Sequence, residues 1–78
     1  MKSVKVYSTQ TCPWCVRVKD FLTENDVPFT DVDVGTDQKA ASEMVEKSGQ
    51  MGVPVVDIEG EITVGFDEAK LRELLNLK

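Results

Sequence analysis

The chain has 78 residues, which is enough for one small domain spanning residues 1–78. Fourteen acidic residues against nine basic ones leave a formal charge of −5, so neither nucleic-acid phosphates nor an acidic membrane is an expected partner. The absence of histidine excludes imidazole catalysis and every zinc site that needs a His ligand. No apolar signal-peptide core and no run of ~18 apolar residues is present, so a cytoplasmic protein is expected.

The first part of the chain predicts a strand, a helix and a second strand. Residues 2–8 alternate loosely between apolar and polar side chains, which indicates a strand. Pro13 suits the first turn of a helix ending near residue 25, because an N–H at that position needs no partner. Residues 29–34 carry aspartates on one face, which favours a strand at the edge of a sheet.

The middle of the chain predicts a second helix and a β-hairpin. Thr36 or Asp37 can cap the helix at its N-terminus, and Gly49 is a natural C-terminal stop. Residues 53–58 and 61–64 are short apolar segments joined by Glu-Gly, which is typical of a tight hairpin turn.

Asp67 is placed to cap a last helix, and the predicted order is therefore β-α-β-α-β-β-α. The initial β-α-β unit predicts a right-handed crossover between parallel strands. An α/β fold follows, in which a small mixed sheet carries helices on its faces.

The two cysteines of the chain, Cys12 and Cys15, frame a Cys-Pro-Trp-Cys sequence at the predicted start of the first helix. Residues i and i+3 of a helical turn lie about 5–6 Å apart, within the range that a disulfide needs. The helix N-terminus favours a thiolate at Cys12 and lowers its pKa toward neutrality. This pattern is typical of a thioredoxin-like redox motif, with Cys12 as the attacking nucleophile and Cys15 as the resolving thiol.

A metal half-site and idle surface cysteines are the alternative interpretations of this motif. One C-x-x-C supplies only two of the four ligands that a closed metal site needs. Because the chain has no other Cys and no His, a metal site would require a dimer or outside ligands. We therefore predict no metal ligand and no tightly bound cofactor.

Two further segments are candidates for substrate binding. Pro54 opens the predicted third strand, and a cis bond there would expose the backbone of Val53 to glutathione or an extended peptide. By base rate alone, a trans proline at an edge strand is the commoner form. Gly65, Phe66 and Asp67 precede the last helix, where they form either an anion site for a carboxylate or a plain N-cap.

Several side chains near these segments carry weaker signals. Trp14 is either a stacking surface for substrate or an exposed aromatic in a turn. Arg17 and Lys19 are expected to point to solvent rather than toward Cys12. A group of acidic residues in the second half is expected to form a solvated face: Asp57, Glu59, Glu61, Asp67 and Glu68.

Three segments in this order closely resemble a glutaredoxin: Cys12-Pro13-Trp14-Cys15, Gly52-Val53-Pro54 and Val64-Gly65-Phe66-Asp67. The likeness covers nearly the whole chain, and residues 48–54 look like those of small bacterial glutaredoxin-like proteins. The resemblance implies a thioredoxin fold, with a four-stranded mixed sheet flanked by three helices. It also implies dithiol–disulfide exchange through a redox-active Cys12–Cys15 disulfide.

The same resemblance implies how a substrate would bind. Pro54 is expected to be cis, and the Val53 backbone is expected to pair with the cysteinyl part of glutathione as co-substrate. The γ-glutamyl end would be held by Gly65, Phe66 and Asp67. The predicted substrate-binding set is Pro13, Trp14, Val53, Pro54, Gly65, Phe66 and Asp67.

Three positions depart from the glutaredoxin pattern. Thr9 stands where glutaredoxins often have Lys or Arg near the glycine carboxylate of glutathione, and Trp14 replaces the usual Tyr. The Gly65-Phe66 pair looks like that of redoxins that donate electrons to ribonucleotide reductase and are reduced by thioredoxin reductase.

The expected function is a monomeric dithiol oxidoreductase that acts on protein disulfides or glutathione mixed disulfides. Its expected partners are glutathione and disulfide-containing proteins. One alternative is a redoxin-type electron donor with thioredoxin reductase as its partner. Two others are a dimer that holds a glutathione-ligated [2Fe–2S] cluster and a scaffold whose cysteines are idle.

Overall fold

The computed structural model describes residues 3–50 and 52–76, and strands and helices follow one another in the predicted order. No helix in this described part is long and apolar enough to cross a membrane. The elements are β1 (Val4–Ser8), α1 (Pro13–Glu24), β2 (Thr30–Asp33), α2 (Gln38–Ser48), β3 (Val55–Ile58), β4 (Glu61–Val64) and α3 (Glu68–Leu74).

The four strands form one mixed sheet in the order β2-β1-β3-β4. β1 runs parallel to β2 and antiparallel to β3, and β3 runs antiparallel to β4. β2 lies at an edge, as its aspartates predicted. The part of the chain that the structure describes also contains the three helices α1, α2 and α3. Sheet and helices together form the thioredoxin fold expected from the sequence.

Three of the strands are shorter than predicted. Ser3 precedes β1, and residue 2 of the first predicted strand lies outside the described residues. Phe29 and Val34 flank β2 rather than belonging to it. Pro54 precedes β3 instead of opening it, because proline has no N–H to donate to a strand ladder.

The sheet buries a separate apolar cluster on each face. The larger cluster joins β1 and β3 to α1 and α3, and its buried members are Val4, Val6, Val18, Phe21, Leu22, Val56, Ile58 and Leu71. The smaller cluster lies under α2 and has Tyr7, Met44 and Val55 at its centre. Val4 and Val6 of β1 belong to the larger cluster and Tyr7 to the smaller one, as the two-residue period of a strand requires.

The predicted helix caps are present in the structure. The Asp37 carboxylate accepts the Ala40 N–H at 3.1 Å, and Gly49 ends α2 with a φ of 74°. That left-handed conformation favours glycine, because a side chain there would collide with the backbone.

One residue of the expected acidic surface is buried instead. Asp57 lies on β3 beneath α2, only 8% exposed, and its carboxylate accepts a hydrogen bond from Lys47 at 2.7 Å. Lys47 also contacts the Tyr7 hydroxyl at 3.1 Å, and that hydroxyl donates to Glu43 at 2.9 Å. The expectation of a solvated face is therefore wrong for Asp57, because a lysine from another element neutralises its charge.

Candidate active site

Cys12 is the N-cap residue of α1 and lies between the strand and the helix. Its backbone is extended, with φ −95° and ψ 111°, and its Sγ accepts a hydrogen bond from the Cys15 N–H at 3.4 Å. Pro13 takes the first helical position, where the missing N–H leaves no hydrogen bond unmade. The thiol therefore occupies the place that a serine or aspartate fills in other helices.

The surroundings of Cys12 favour its thiolate. Partial burial by itself raises the pKa of Cys12. Hydrogen bonds from the Cys15 thiol and from the backbone N–H groups of Cys15 and Trp14 oppose this effect, and so does the charge of Lys19. The opposing interactions outweigh burial, so the pKa of Cys12 lies below its usual value.

Cys15 has the opposite character. Its side chain is fully buried at 0% exposure, whereas Cys12 is partly exposed. Burial and the neighbouring Cys12 raise the pKa of Cys15 to about 11, despite a hydrogen bond from the Thr9 backbone. The two thiols are free, so one accessible thiolate stands beside one protected thiol.

The bond between Val53 and Pro54 is cis, and it brings the backbone of that loop beside the nucleophile. The Cys12 thiol lies 3.9 Å from the Val53 carbonyl oxygen, a distance consistent with a weak S–H donor. The expectation of a cis proline, which came from the family resemblance, is confirmed. The trans form favoured by its base rate is not present.

An open groove of about 210 Å³ runs beside the cysteine loop. It is lined by Trp14, Val53, Pro54, Gly65 and Phe66. These residues belong to three segments that are distant in sequence, and all five were among the predicted substrate-binding residues.

Aromatic side chains form one wall of this groove. Trp14 is 54% exposed, and its ring lies 6.5 Å from the Phe66 ring. Phe66 in turn packs edge-on against Phe21 of the larger core, with ring centroids 5.7 Å apart. Phe66 thus links the exposed Trp14 ring to the larger core.

Asp67 is exposed and caps α3, where its carboxylate accepts the Lys70 N–H at 3.1 Å. α3 spans only seven residues, so the plain N-cap is the interpretation that the structure supports. Gly65, two residues earlier, has a φ of 75°, which favours glycine at this position.

Arg17 and Lys19, which were expected to point to solvent, both have partners in the structure. Arg17 does not simply extend into solvent, because its guanidinium carbon lies 5.0 Å from the centre of the Trp14 ring. Lys19 contacts the Asp31 carboxylate at 2.9 Å. The spacing of seven residues from Cys12 to Lys19 was the available signal, because it returns to the same helix face.

No group of three or more Cys, Asp or Glu side chains suited to a metal ion occurs within residues 3–50 and 52–76.

A family model described as glutaredoxin matches residues 4–63. The chain belongs to the glutaredoxin family. Glutaredoxin 3 of Escherichia coli K12 is 31% identical over 68 residues, which cover 87% of this chain and 82% of that protein. An uncharacterised glutaredoxin-like 8.6 kDa protein from a rubredoxin operon of Clostridium pasteurianum is 46% identical over 72 residues, covering 92% and 96% of the two chains.

The crystal structure of a glutaredoxin from Archaeoglobus fulgidus superposes on this fold with a TM-score of 0.87 and 31% identity, covering 96% of this glutaredoxin-family chain and 87% of that one. Family and fold together make this chain a glutaredoxin-like redox protein of the thioredoxin fold.

Proposed function

We propose that this member of the glutaredoxin family is a dithiol oxidoreductase that reduces protein disulfides or glutathione mixed disulfides. The observation that supports this proposal most directly is the contrast between its two thiols. Cys12 is accessible and has a lowered pKa, whereas Cys15 is buried and has a pKa of about 11. Cys12 is suited to attack a substrate disulfide, and Cys15 is suited to react only after the mixed disulfide on Cys12 has formed.

The reaction consists of two exchanges that pass two electrons to the substrate. The Cys12 thiolate attacks one sulfur of the substrate disulfide, forms a mixed disulfide and releases the other sulfur as a thiolate. Cys15 then loses its proton to solvent and attacks the Cys12 Sγ. A Cys12–Cys15 disulfide forms, and the second substrate thiolate leaves. Two glutathione molecules would regenerate the dithiol and leave as glutathione disulfide.

The groove beside Cys12 supports glutathione as the co-substrate. Val53 lines the groove, where its backbone would offer hydrogen-bonding groups to an extended peptide, and Trp14 with Phe66 offers an apolar wall. The exposed Asp67 follows the groove residues Gly65 and Phe66 in the chain, and its carboxylate would attract an amino group of the bound peptide. In this arrangement the sulfur of a bound peptide would approach Cys12.

A redoxin-type electron donor is the second candidate. Thr9, which precedes the active-site loop, supplies no cation for a glutathione carboxylate. The loss of one charge-assisted hydrogen bond is worth about 1.5–3 kcal/mol, or tenfold and more in affinity. Thioredoxin reductase would then be the reductant instead of glutathione.

The deciding experiment follows the emission of Trp14, the single tryptophan, which lies between the two cysteines. Oxidised protein is mixed either with millimolar glutathione or with thioredoxin reductase and NADPH. Reduction by glutathione supports the glutaredoxin function, and reduction by the reductase alone supports the redoxin. If neither reagent reduces a disulfide verified by thiol counting, both proposals are wrong.

Two variants test the assigned roles of the thiols. Cys12→Ser should abolish exchange, whereas Cys15→Ser should accumulate a mixed disulfide on Cys12 that mass spectrometry detects. Full activity in Cys12→Ser would contradict the mechanism. Brown colour after anaerobic purification, together with a dimer that dissociates on cluster removal, would instead favour the cluster-binding alternative.

A further inference from the structure

Lys19 shares a helix face with the two cysteines. The intervals from Cys12 to Cys15 and from Cys15 to Lys19 are three and four residues, which place the three side chains along one side of α1. The ammonium group of Lys19 bonds to Asp31 on β2, with 2.9 Å between Nζ and Oδ2. An ion pair therefore stands on the same helix face as the reactive thiols.

Asp31 is held from a second direction by Ser8. The Ser8 hydroxyl donates to Oδ1 of Asp31 at 2.8 Å, and Ser8 is only 2% exposed. Ser8 is also the last residue of β1, directly before the loop that leads to Cys12. The cluster of Ser8, Lys19 and Asp31 thus ties together β1, β2 and α1 where the active-site loop leaves the sheet.

The charges of this cluster act on the thiols. The Lys19 ammonium lowers the pKa of both Cys12 and Cys15. Burial raises the pKa of Asp31, but its bonds to Lys19 and Ser8 outweigh this, so the carboxylate is ionised at neutral pH. A negative charge beside Lys19 offsets part of the field that the lysine exerts on sulfur.

The other charged groups nearby have different partners. Asp33, the second carboxylate of β2, accepts hydrogen bonds from the Gln10 amide at 3.2 Å and from the Gly35 N–H at 2.8 Å. Arg17 lies over the Trp14 ring. Among these groups, Lys19 is the cation whose charge acts on both thiols.

We propose that Lys19 and Asp31 form an opposed charge pair that sets how readily the active-site cysteines ionise. Lys19 is a positioning residue whose positive charge favours the thiolate. Asp31, which is held in place by Ser8, reduces the effect of that charge on the thiols. This inference rests on the proposed dithiol function. In that function, the ease with which the cysteines ionise affects both the rate at which Cys12 attacks a disulfide and the reduction potential of the Cys12–Cys15 pair.

The test compares Lys19→Gln, Asp31→Asn and the double variant with Lys39→Gln, a matched change at an exposed lysine of α2. The measurement is the rate at which iodoacetamide alkylates Cys12 in the reduced protein between pH 5 and 10. The alkylated cysteine is identified by mass spectrometry.

The two single variants should shift the alkylation profile in opposite directions. At pH 6.5 we expect Lys19→Gln to react about two- to fivefold more slowly and Asp31→Asn to react faster by a similar factor, the range for partly exposed charges. The double variant should lie between them, Lys39→Gln should match the wild type, and added salt should reduce the differences. Lys19→Arg should restore the wild-type profile.

Shifts in the same direction, or no shift in either variant, would overturn the proposal. If the ion pair were purely structural, removing either partner would disturb the site in the same way, and the two alkylation profiles would change in the same direction. Urea unfolding identifies variants that fail to fold, and if Lys19→Gln is one of them, Asp31→Asn alone decides by the sign of its shift. Alkylation needs no substrate, so failure of this inference is distinguishable from loss of exchange activity in the Cys12→Ser test.

Discussion

The backbone N–H of Gly65 donates to the carbonyl oxygen of Pro54 over 2.8 Å. This bond lies one position beyond the last pair of the β3–β4 register, Val55 with Val64. It joins the two loops that line the groove beside Cys12. The shape of the groove therefore depends on the conformation of Gly65.

Replacing Gly65 by alanine should weaken both the fold and ligand binding in the groove. Its φ of 75° costs roughly 1–2 kcal/mol for a residue with a side chain, although open space surrounds the added Cβ. Urea unfolding should report a loss of this size, and the KM for a glutathione mixed disulfide should rise. Gly60→Ala is the control, because Gly60 also has a positive φ, 95°, but lies in the β3–β4 turn. An equal rise in KM for both variants would contradict this prediction.

The pH dependence of alkylation should separate the two thiols. The thiolate is the nucleophile, and the pKa of Cys12 is lowered. The rate of Cys12 alkylation should therefore stay high as the pH falls through the ordinary cysteine pKa of about 8.5, and decline only at lower pH. Cys15, with a pKa of about 11 and a buried side chain, should stay unreactive at neutral pH.

Removing the Cys15 thiol should change Cys12. Cys15→Ala removes the side-chain hydrogen bond that helps to lower the pKa of Cys12, so the midpoint of Cys12 alkylation should move upward. Cys15→Ser keeps a donor and should shift the midpoint less. Identical profiles for the alanine and serine variants would show that the backbone hydrogen bonds alone stabilise the thiolate.

The ion pair between the exposed Lys47 and the buried Asp57 should contribute to stability in a pH-dependent way. Burial raises the pKa of Asp57, but the hydrogen bonds from Lys47 and from the Gly60 N–H lower it by more than burial raises it. The pKa of Asp57 in the folded protein therefore lies below the unfolded value of about 3.9. The stabilisation is therefore present above about pH 4 and is lost as the pH falls through the folded pKa.

Asp57→Asn should lower the free energy of unfolding at pH 7 by about 1.5–3 kcal/mol, the range for hydrogen bonds to charged groups. The difference in unfolding free energy between the variant and the wild type should shrink as the pH falls below 4, because the pKa of an aspartate in the unfolded chain is about 3.9. Glu61→Gln, at an exposed position of β4, should have little effect and serves as the control. A difference that is constant from pH 7 to pH 2.5 would argue against the ion pair.

Thr63→Val should stabilise the protein. Thr63 on β4 is 2% exposed, and its hydroxyl has no hydrogen-bond partner among the residues that the structure describes. Valine has the same shape without the unsatisfied group, so we expect a gain of about 1 kcal/mol, or roughly 4–8 °C in Tm. The same substitution at the exposed Thr30 of β2 is the control. A lower Tm for Thr63→Val than for wild type would contradict this prediction.

Local sequence signals predicted the order of the elements and the residues that cap or end the helices. Asp37, Gly49 and Asp67 act within a few residues of their own positions, so their roles as caps and stops can be read without knowing the fold. The Cys-Pro-Trp-Cys motif is also local, because a cysteine before a helix-starting proline is held at the N-terminal end of that helix. The family resemblance supplied the cis proline.

Long-range contacts could not be predicted from these patterns. Asp57 was expected at the surface, because nothing in the local pattern shows that Lys47, ten residues earlier, meets it across the α2–β3 contact. The pairing of Lys19 with Asp31 likewise depends on how α1 packs beside β2, and it changes the electrostatics of a motif that was itself predicted.

The sequence by itself therefore determined the order of the elements, their caps and the pair of thiols at the start of α1. The tertiary structure decided which segments form the groove, which carboxylate is buried and which charges act on the thiols. The physical reason is range: turn, cap and helix preferences act over about one to five residues. Burial and charge depend instead on segments that are distant in sequence and meet only when the sheet and helices pack together.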